Sequence, residues 1–346
     1  MIRPLRQVVE ALGSPYARED LVADCDVPLL AVDVSGGHVE GDLLAELRSL
    51  PLVTVAISEA PILSQGVAAF DSLLCDAGDT SGPTGPRWTT PARGAPAALD
   101  RIHARVAANP QAAVALVQLL RLSANLDVID GLVAESFTYS TLQGGPEFAR
   151  WLGGQSEPEP VALDPVALVV ERDGTELRLT FNRPEIHNAF GFEVRDELVD
   201  ALRLAAIDDT IGSITIAGRG RSFCAGGDLR EFGTRTDPAS AHLIRTTRSA
   251  GYWIHRVAER VRVELHGACV GSGIELPSFA GHVVAAANTF IELPELSLGL
   301  VPGAGGTVSI PRRIGRHRCA YLALSGERLD ALTALEWGLV DELAGS

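Results

Sequence analysis

Gly267-Ala-Cys-Val-Gly-Ser-Gly-Ile-Glu-Leu276 is the stretch on which the reading of this chain turns. An apolar strand pattern at 261–266 precedes it and a helical pattern follows, so its glycines fall where a strand becomes a helix. The first amides of a helix have no carbonyl partner of their own, and glycine lets an oxygen approach them closely. A second stretch, Arg221-Ser-Phe-Cys-Ala-Gly-Gly-Asp-Leu-Arg230, has the same grammar after a strand pattern at 211–217. Two such turns aiming amides at one point make an oxyanion hole. Either turn alone is better explained by close helix–strand packing.

The carboxylates distinguish these turns from packing turns. Glu275 lies three residues past Ser272, in the first helical turn, on the face that carries the free amides. A carboxylate between Ile274 and Leu276 is costly to bury, and helix capping explains it only in part. Glu295 sits in Ile291-Glu-Leu-Pro-Glu-Leu, just before Gly299-Leu-Val-Pro-Gly-Ala-Gly-Gly-Thr307, again in an apolar context beside proline and glycine.

Outward from these turns, the chain from residue 166 alternates strand and helix. Patterns at 167–170 and 177–181 bracket Arg172-Asp-Gly-Thr, a hairpin turn of type I′ character, and a helix is predicted at 191–206. Strand, glycine turn and helix in succession describe an α/β layer fold that binds ligands at the carboxyl ends of its strands. Residues 77–96, rich in Gly, Pro, Ser and Thr, and 156–165, with Glu-Pro-Glu-Pro, read as linkers. They set off 1–76, with strands at 29–34 and 52–57 around a helix at 40–50, as a βαβ-like piece. They also set off 97–153 as a helical piece in which Pro110 opens a new helix.

Composition excludes several functions. A formal net charge of −15 argues against nucleic acid or an anionic membrane as partner. The sequence contains no lysine, so Schiff-base chemistry and the pyridoxal-phosphate anchor are excluded. Cys25, Cys75, Cys224, Cys269 and Cys319 are odd in number and lack a C-x-x-C pair, which predicts free thiols in a reducing cytoplasm, with no disulfide framework and no metal site. No apolar run suits a signal peptide or a membrane span.

Taken together, these segments resemble the crotonase (enoyl-CoA hydratase/isomerase) superfamily. Asn182-Arg-Pro-Glu-Ile-His-Asn-Ala189 is similar to its first substrate loop and Ser222-Phe-Cys-Ala-Gly-Gly-Asp-Leu229 to its first oxyanion turn. Residues 267–275 resemble the second such turn, and 294–307 the second acid/base segment, in matching order over about 166–343. The resemblance implies a crotonase-like ββα superhelix in which the amides of Gly227 and Ser272 hold a thioester oxygen and Glu275 and Glu295 form an acid/base pair. It places Ile186, His187, Ala189, Ala225, Gly226, Asp228, Leu229, Gly271 and Pro294 along the substrate. Arg183 and Arg230 stand beside the two loops as cations for CoA phosphates or as solvated surface arginines, and Asp228 suits a helix cap better than catalysis.

Having both glutamates favours hydration of a 2-enoyl-CoA, with no cofactor beyond the CoA of the substrate. One carboxylate would activate water toward C3 while the other delivers a proton to C2. Each oxyanion donor would contribute roughly 3–4 kcal/mol and acid–base transfer roughly 10²–10⁴-fold. An isomerase, a cofactor-free dioxygenase of the dihydroxyphenylacetyl-CoA type, and a non-catalytic acyl-CoA binder remain as alternatives. The resemblance also implies a homotrimer or a dimer of trimers. Family chains normally continue past the segment here formed by Ala334-Leu-Glu-Trp-Gly-Leu-Val-Asp341 into helices that cover the site. Residues 97–153 resemble those helices, so the expected organisation is 1–76 as a decayed repeat, 97–153 as their replacement and 166–346 as the catalytic core. Ser272, where relatives usually have glycine, and the proline in Leu276-Pro-Ser-Phe are departures from the family pattern.

Overall fold

The computed structural model describes residues 2–36, 44, 46–62, 64–77, 86–156, 161–234 and 237–345. The first piece carries strands β1 (Ile2–Pro4), β2 (Leu29–Asp33), β3 (Val53–Ser58) and β4 (Ser72–Cys75), with helices α1 (Leu5–Leu12) and α2 (Ala17–Ala23) between the first two. All neighbours pair in parallel in the order β1-β2-β3-β4, so the sheet is wider than the two strands read from sequence. Most of the helix expected at 40–50 lies outside the described residues, and Glu46–Ser49 forms a 3₁₀ turn.

Alternation along these strands buries both faces, as a parallel sheet requires. Leu30, Val32, Leu73 and Cys75 join one cluster with Phe70 and Trp88, whereas Ala31, Val53, Val55 and Leu74 turn to the other face and enter the main core. The helices α3 (Ala95–Ala108), α4 (Pro110–Ser123), α5 (Val128–Gln143) and α6 (Pro146–Gly153) follow. Pro110 opens α4 as expected, because its missing N–H and fixed φ suit a first helical position. Residues 86–94 depart from the linker reading: Thr89 bridges to Leu74, and buried Trp88 donates its indole N–H to the Ile62 carbonyl at 3.1 Å.

A buried ion pair ties α4 to the first sheet. Arg121 directs its donors to both carboxylate oxygens of Asp71 (2.8 and 2.6 Å) and to the carbonyls of Arg48, Leu50 and Leu52. Arg316 reaches Asp71 as well, at 3.2 Å. Such pairs stabilise only when the remaining donors and acceptors are satisfied, as they are at Arg121.

The remaining chain builds two sheets. Hairpin β5 (Leu168–Asp173) and β6 (Glu176–Phe181) turns at Gly174-Thr175, with longer strands than the sequence pattern implied. Then come α7 (Phe192–Ile207), β7 (Ser213–Gly218), α8 (Pro238–Thr247), α9 (Ala250–Arg256), β8 (Val261–Leu265) and β9 (Ala268–Val270). The last elements are α10 (Ser272–Glu275), β10 (His282–Ala285), β11 (Phe290–Glu292), α11 (Gly306–Ile314), α12 (Arg316–Ser325), β12 (Leu329–Asp330), α13 (Ala331–Trp337) and β13 (Glu342–Leu343).

Pairing order reveals the spiral. One sheet runs β13-β10-β8-β7-β6-β5 and the other β12-β11-β9, so β8 then β9, and β10 then β11, each place one strand in each sheet before a helical segment. Residue Cys224, just past β7, bridges to Cys269 of β9 and enters the second sheet in the same way. This is the crotonase-like ββα superhelix of the expected α/β class. The N-terminal helices pack onto it: the Ser123 hydroxyl donates to the Thr307 carbonyl, the Ser140 hydroxyl to that of Pro238, and Arg105 to that of Leu324. No described helix is long and apolar enough to cross a membrane.

Candidate active site

The two glycine turns meet where β7 and β8 hand over to the second sheet. The Val270 amide donates to the Cys224 carbonyl at 3.0 Å and the Cys224 amide to the Ala268 carbonyl at 3.2 Å, which fastens one turn to the other. Among the described residues neither the Gly227 nor the Ser272 amide has an acceptor, and both residues line one cavity of about 550 Å³. Ser272 starts α10, so its free amide is one of the orphan donors of a helix N-terminus. Its hydroxyl lies 3.7 Å from the Cys224 sulfur.

Glu275 and Glu295 converge on Gly271. A Cβ at that residue would lie 2.5 Å from Glu295 Oε1 and 3.8 Å from Glu275 Oε1, so both carboxyl groups face the same point. Gly271 adopts φ +50°, a conformation that side chains rarely tolerate, and the turn therefore requires glycine on two counts. The proline noted after Glu275 limits α10 to a single turn, and a 3₁₀ segment, Pro277–Phe279, takes over.

The environments of the two acids differ. Glu275 is 2% exposed, and its Oε2 accepts the amides of Ala304 (2.8 Å) and Gly306 (2.9 Å). Burial raises it to about 7, against those amides, which favour the ion. Glu295 Oε2 is buried without a hydrogen-bond partner among the described residues, and burial together with the charge of Glu275 holds this carboxyl well above its ordinary range. The pair is thus pushed apart, with Glu275 the more readily ionised member.

A third acid, unforeseen from the sequence, completes the cluster. Glu135 of α5 is 2% exposed and accepts the Gly305 amide on Oε1 (2.7 Å), and the Thr307 amide (2.9 Å) and hydroxyl (2.7 Å) on Oε2. Burial first, then the neighbouring Glu275, raises it to about 8. Successive amides of the 304–307 loop therefore go alternately to an acid of the core and an acid of the helical module. A Cβ on Gly306 would fall 2.6 Å from Glu275 Cγ, so this loop too needs its glycine. The sequence carries little signal for Glu135, because polar residues fall on every side of α5, Asp130, Thr138 and Thr141 among them.

Of the residues expected at the site, Gly227, Asp228, Ser272, Glu275 and Glu295 line the cavity. Ile186, His187, Ala189, Ala225, Gly226, Leu229, Gly271 and Pro294 do not; several support the lining instead. His187 accepts the Ala225 amide on its carbonyl and lies 3.1 Å from the Ser222 hydroxyl. Both arginines expected beside the loops have acidic partners. Arg183 is buried and donates to Glu193 at 2.6 Å, and Arg230 is paired with Asp228, which also caps the following turn. The arginines at the cavity are Arg195, Arg245 and Arg248.

The family model for Enoyl-CoA hydratase/isomerase matches residues 172–345. The chain is 35% identical over 178 residues to the 2,3-dehydroadipyl-CoA hydratase of Escherichia coli K12, covering 51% of this chain and 68% of that protein. It is 36% identical over 168 residues to the 1,2-epoxyphenylacetyl-CoA isomerase of the same organism, covering 47% and 64%. Among solved structures, the enoyl-CoA hydratase of Thermoplasma volcanium shares 36% identity over 52% of this chain and 73% of that one, with a TM-score of 0.48. The family model falls on the two-sheet core, and the chain spans about two thirds of the curated relatives' length. The chain belongs to the enoyl-CoA hydratase/isomerase family.

Proposed function

We propose that the chain hydrates a 2-enoyl-CoA through an enolate held by the amides of Gly227 and Ser272. The observation that carries this reading is the convergence of Glu275 and Glu295 on Gly271, beside two unpartnered amides that line the same cavity. With the thioester oxygen between the amides, negative charge that develops there during addition meets fixed donors, each contributing roughly 3–4 kcal/mol. Glu275, the more acidic member, takes a proton from water as its oxygen bonds to C3. Glu295, held neutral by burial, gives its proton to C2, and the atoms of one water are accounted for.

Double-bond isomerisation of an enoyl thioester would need only a proton moved between carbons, and the presence of two facing acids favours hydration over it. The homotrimer or dimer of trimers implied by the resemblance belongs to this reading and is checked by light scattering.

Incubation with crotonyl-CoA under anaerobic conditions tests the reaction. Loss of the conjugated-thioester absorbance is expected, with Glu275→Gln and Glu295→Gln each slower by about two orders of magnitude or more and CoA affinity retained. Turnover that requires oxygen, or that survives either substitution, would exclude the mechanism.

A further inference from the structure

Among the arginines that line the cavity, two are neutralised: Arg195 by Asp196, and Arg248 by Asp196 and Asp200. Arg245 of α8 has no acidic partner among the described residues. Its guanidinium donates to neutral oxygens only, those of Ser136, Ser140 and Gln143 on α5, and stacks 4.6 Å from the Tyr139 ring centroid. The acid whose field it feels most is Glu135, and both oxygens of Glu135 are already taken by Gly305 and Thr307. A half-buried arginine facing a cavity without a counterion is an uncommon expense in a chain of net charge −15, where acids are abundant.

The position of Arg245 indicates what it meets. Tyr139 separates it from Gly303, since a Cβ on that glycine would lie 2.5 Å from the tyrosine Cδ2, and the next residue, Ala304, holds Glu275. One aromatic ring therefore stands between the guanidinium and the loop of the reacting carboxylates. The cavity runs from the amides of Gly227 and Ser272 and from Glu275 to lining residues of α5 and α8, which leaves room there for an acyl chain.

We propose that Arg245 receives a carboxylate at the far end of the acyl chain, so that this cavity prefers CoA thioesters of dicarboxylic acids over those ending in methyl. The inference rests on the acyl-CoA reading given above. Arginine suits the task because its charge is permanent and, with Nε and Nη2 engaged on α5, one Nη1 hydrogen is left to donate to a carboxylate oxygen.

Binding of the unreactive pairs hexanoyl-CoA with adipyl-CoA, and octanoyl-CoA with suberyl-CoA, is measured by calorimetry on the full chain. Turnover of 2-octenoyl-CoA beside 2-octenedioyl-CoA is followed in parallel. The carboxylate-ended member of at least one pair is expected to bind about tenfold or more tightly, a ratio that collapses toward one in Arg245→Gln and is partly kept in Arg245→Lys. Absence of a preference in the wild type overturns the proposal, and needs no variant to fold. Equal loss of affinity for both members of a pair in Arg245→Gln would place the arginine on the CoA phosphates and overturn it too. A binding preference without hydration of any thioester would sink the hydratase reading and leave this one standing.

Discussion

Glu135 and Glu275 share one loop: the amides of Ala304 and Gly306 go to Glu275 while those of Gly305 and Thr307 go to Glu135. Neither acid can move without disturbing amides that hold the other. Glu135→Gln is expected to lower kcat by about tenfold or more, because an amide side chain turns a donor toward donors and leaves a buried N–H unpaired at about 1–3 kcal/mol. Glu135 also raises Glu295, so the alkaline limb of the pH–rate profile should move to lower pH in this variant. An unchanged profile with lowered stability would reduce Glu135 to a structural role.

The rate in wild type should depend on pH as a bell. Its acid limb is expected near 7, where Glu275 ionises, and its alkaline limb higher, where Glu295 gives up the proton it must donate. Measuring kcat/KM across that range checks both limbs. A rate that is flat between pH 5 and about 8 would remove the two acids from the rate-determining step.

Stability should fall as pH rises. Both Glu275 and Glu135 are held above the ordinary value of 4.5, so the folded state binds more protons than the unfolded chain between that value and about 7 or 8. Their contribution is complete below pH 4.5 and lost as the pH climbs through the raised values. Thermal melts between pH 5 and about 8 should therefore show a declining Tm, and Glu135→Gln should flatten the decline.

Gly271→Ala is expected to abolish activity. The added Cβ meets Glu295 Oε1 at 2.5 Å, and the φ of +50° strains any side chain at about 1–3 kcal/mol. Steady-state kinetics beside a melt separate loss of chemistry from loss of fold, and activity within twofold of wild type would contradict the geometry of the carboxyl pair.

Asp71→Asn should cost about 3–5 kcal/mol, because it leaves the buried charges of Arg121 and Arg316 without their acid. Urea unfolding checks the magnitude; a change below about 1 kcal/mol would show that the ion pair contributes little to holding α4 on the first sheet.

The two glycine turns and the acids behind them were legible because the information is local. Glycine at a strand-to-helix turn and a carboxylate three residues later need no knowledge of distant chain. Glu135 was not legible as a site residue, since its partner Gly305 lies 170 residues away and only the folded helix brings them together. The short strands β1 and β4 carry too few residues to show a period, and β1 includes Pro4. Arg183 looked available for phosphate because nothing local reveals that Glu193, at the start of α7, would claim it.

Helix α5 is inverted: Glu135, Ser136 and Ser140 are buried while Ile129 and Phe137 are more than half exposed. Its docking joins apolar packing by Leu132, Ala134, Tyr139 and Leu142 to hydrogen bonds made by Glu135 and Ser140, so the helix is held by both kinds of contact. The 304–307 loop is thereby shared between core and helix: without α5 the amides of Gly305 and Thr307 would lose their acceptor, while Glu275 would keep those of Ala304 and Gly306.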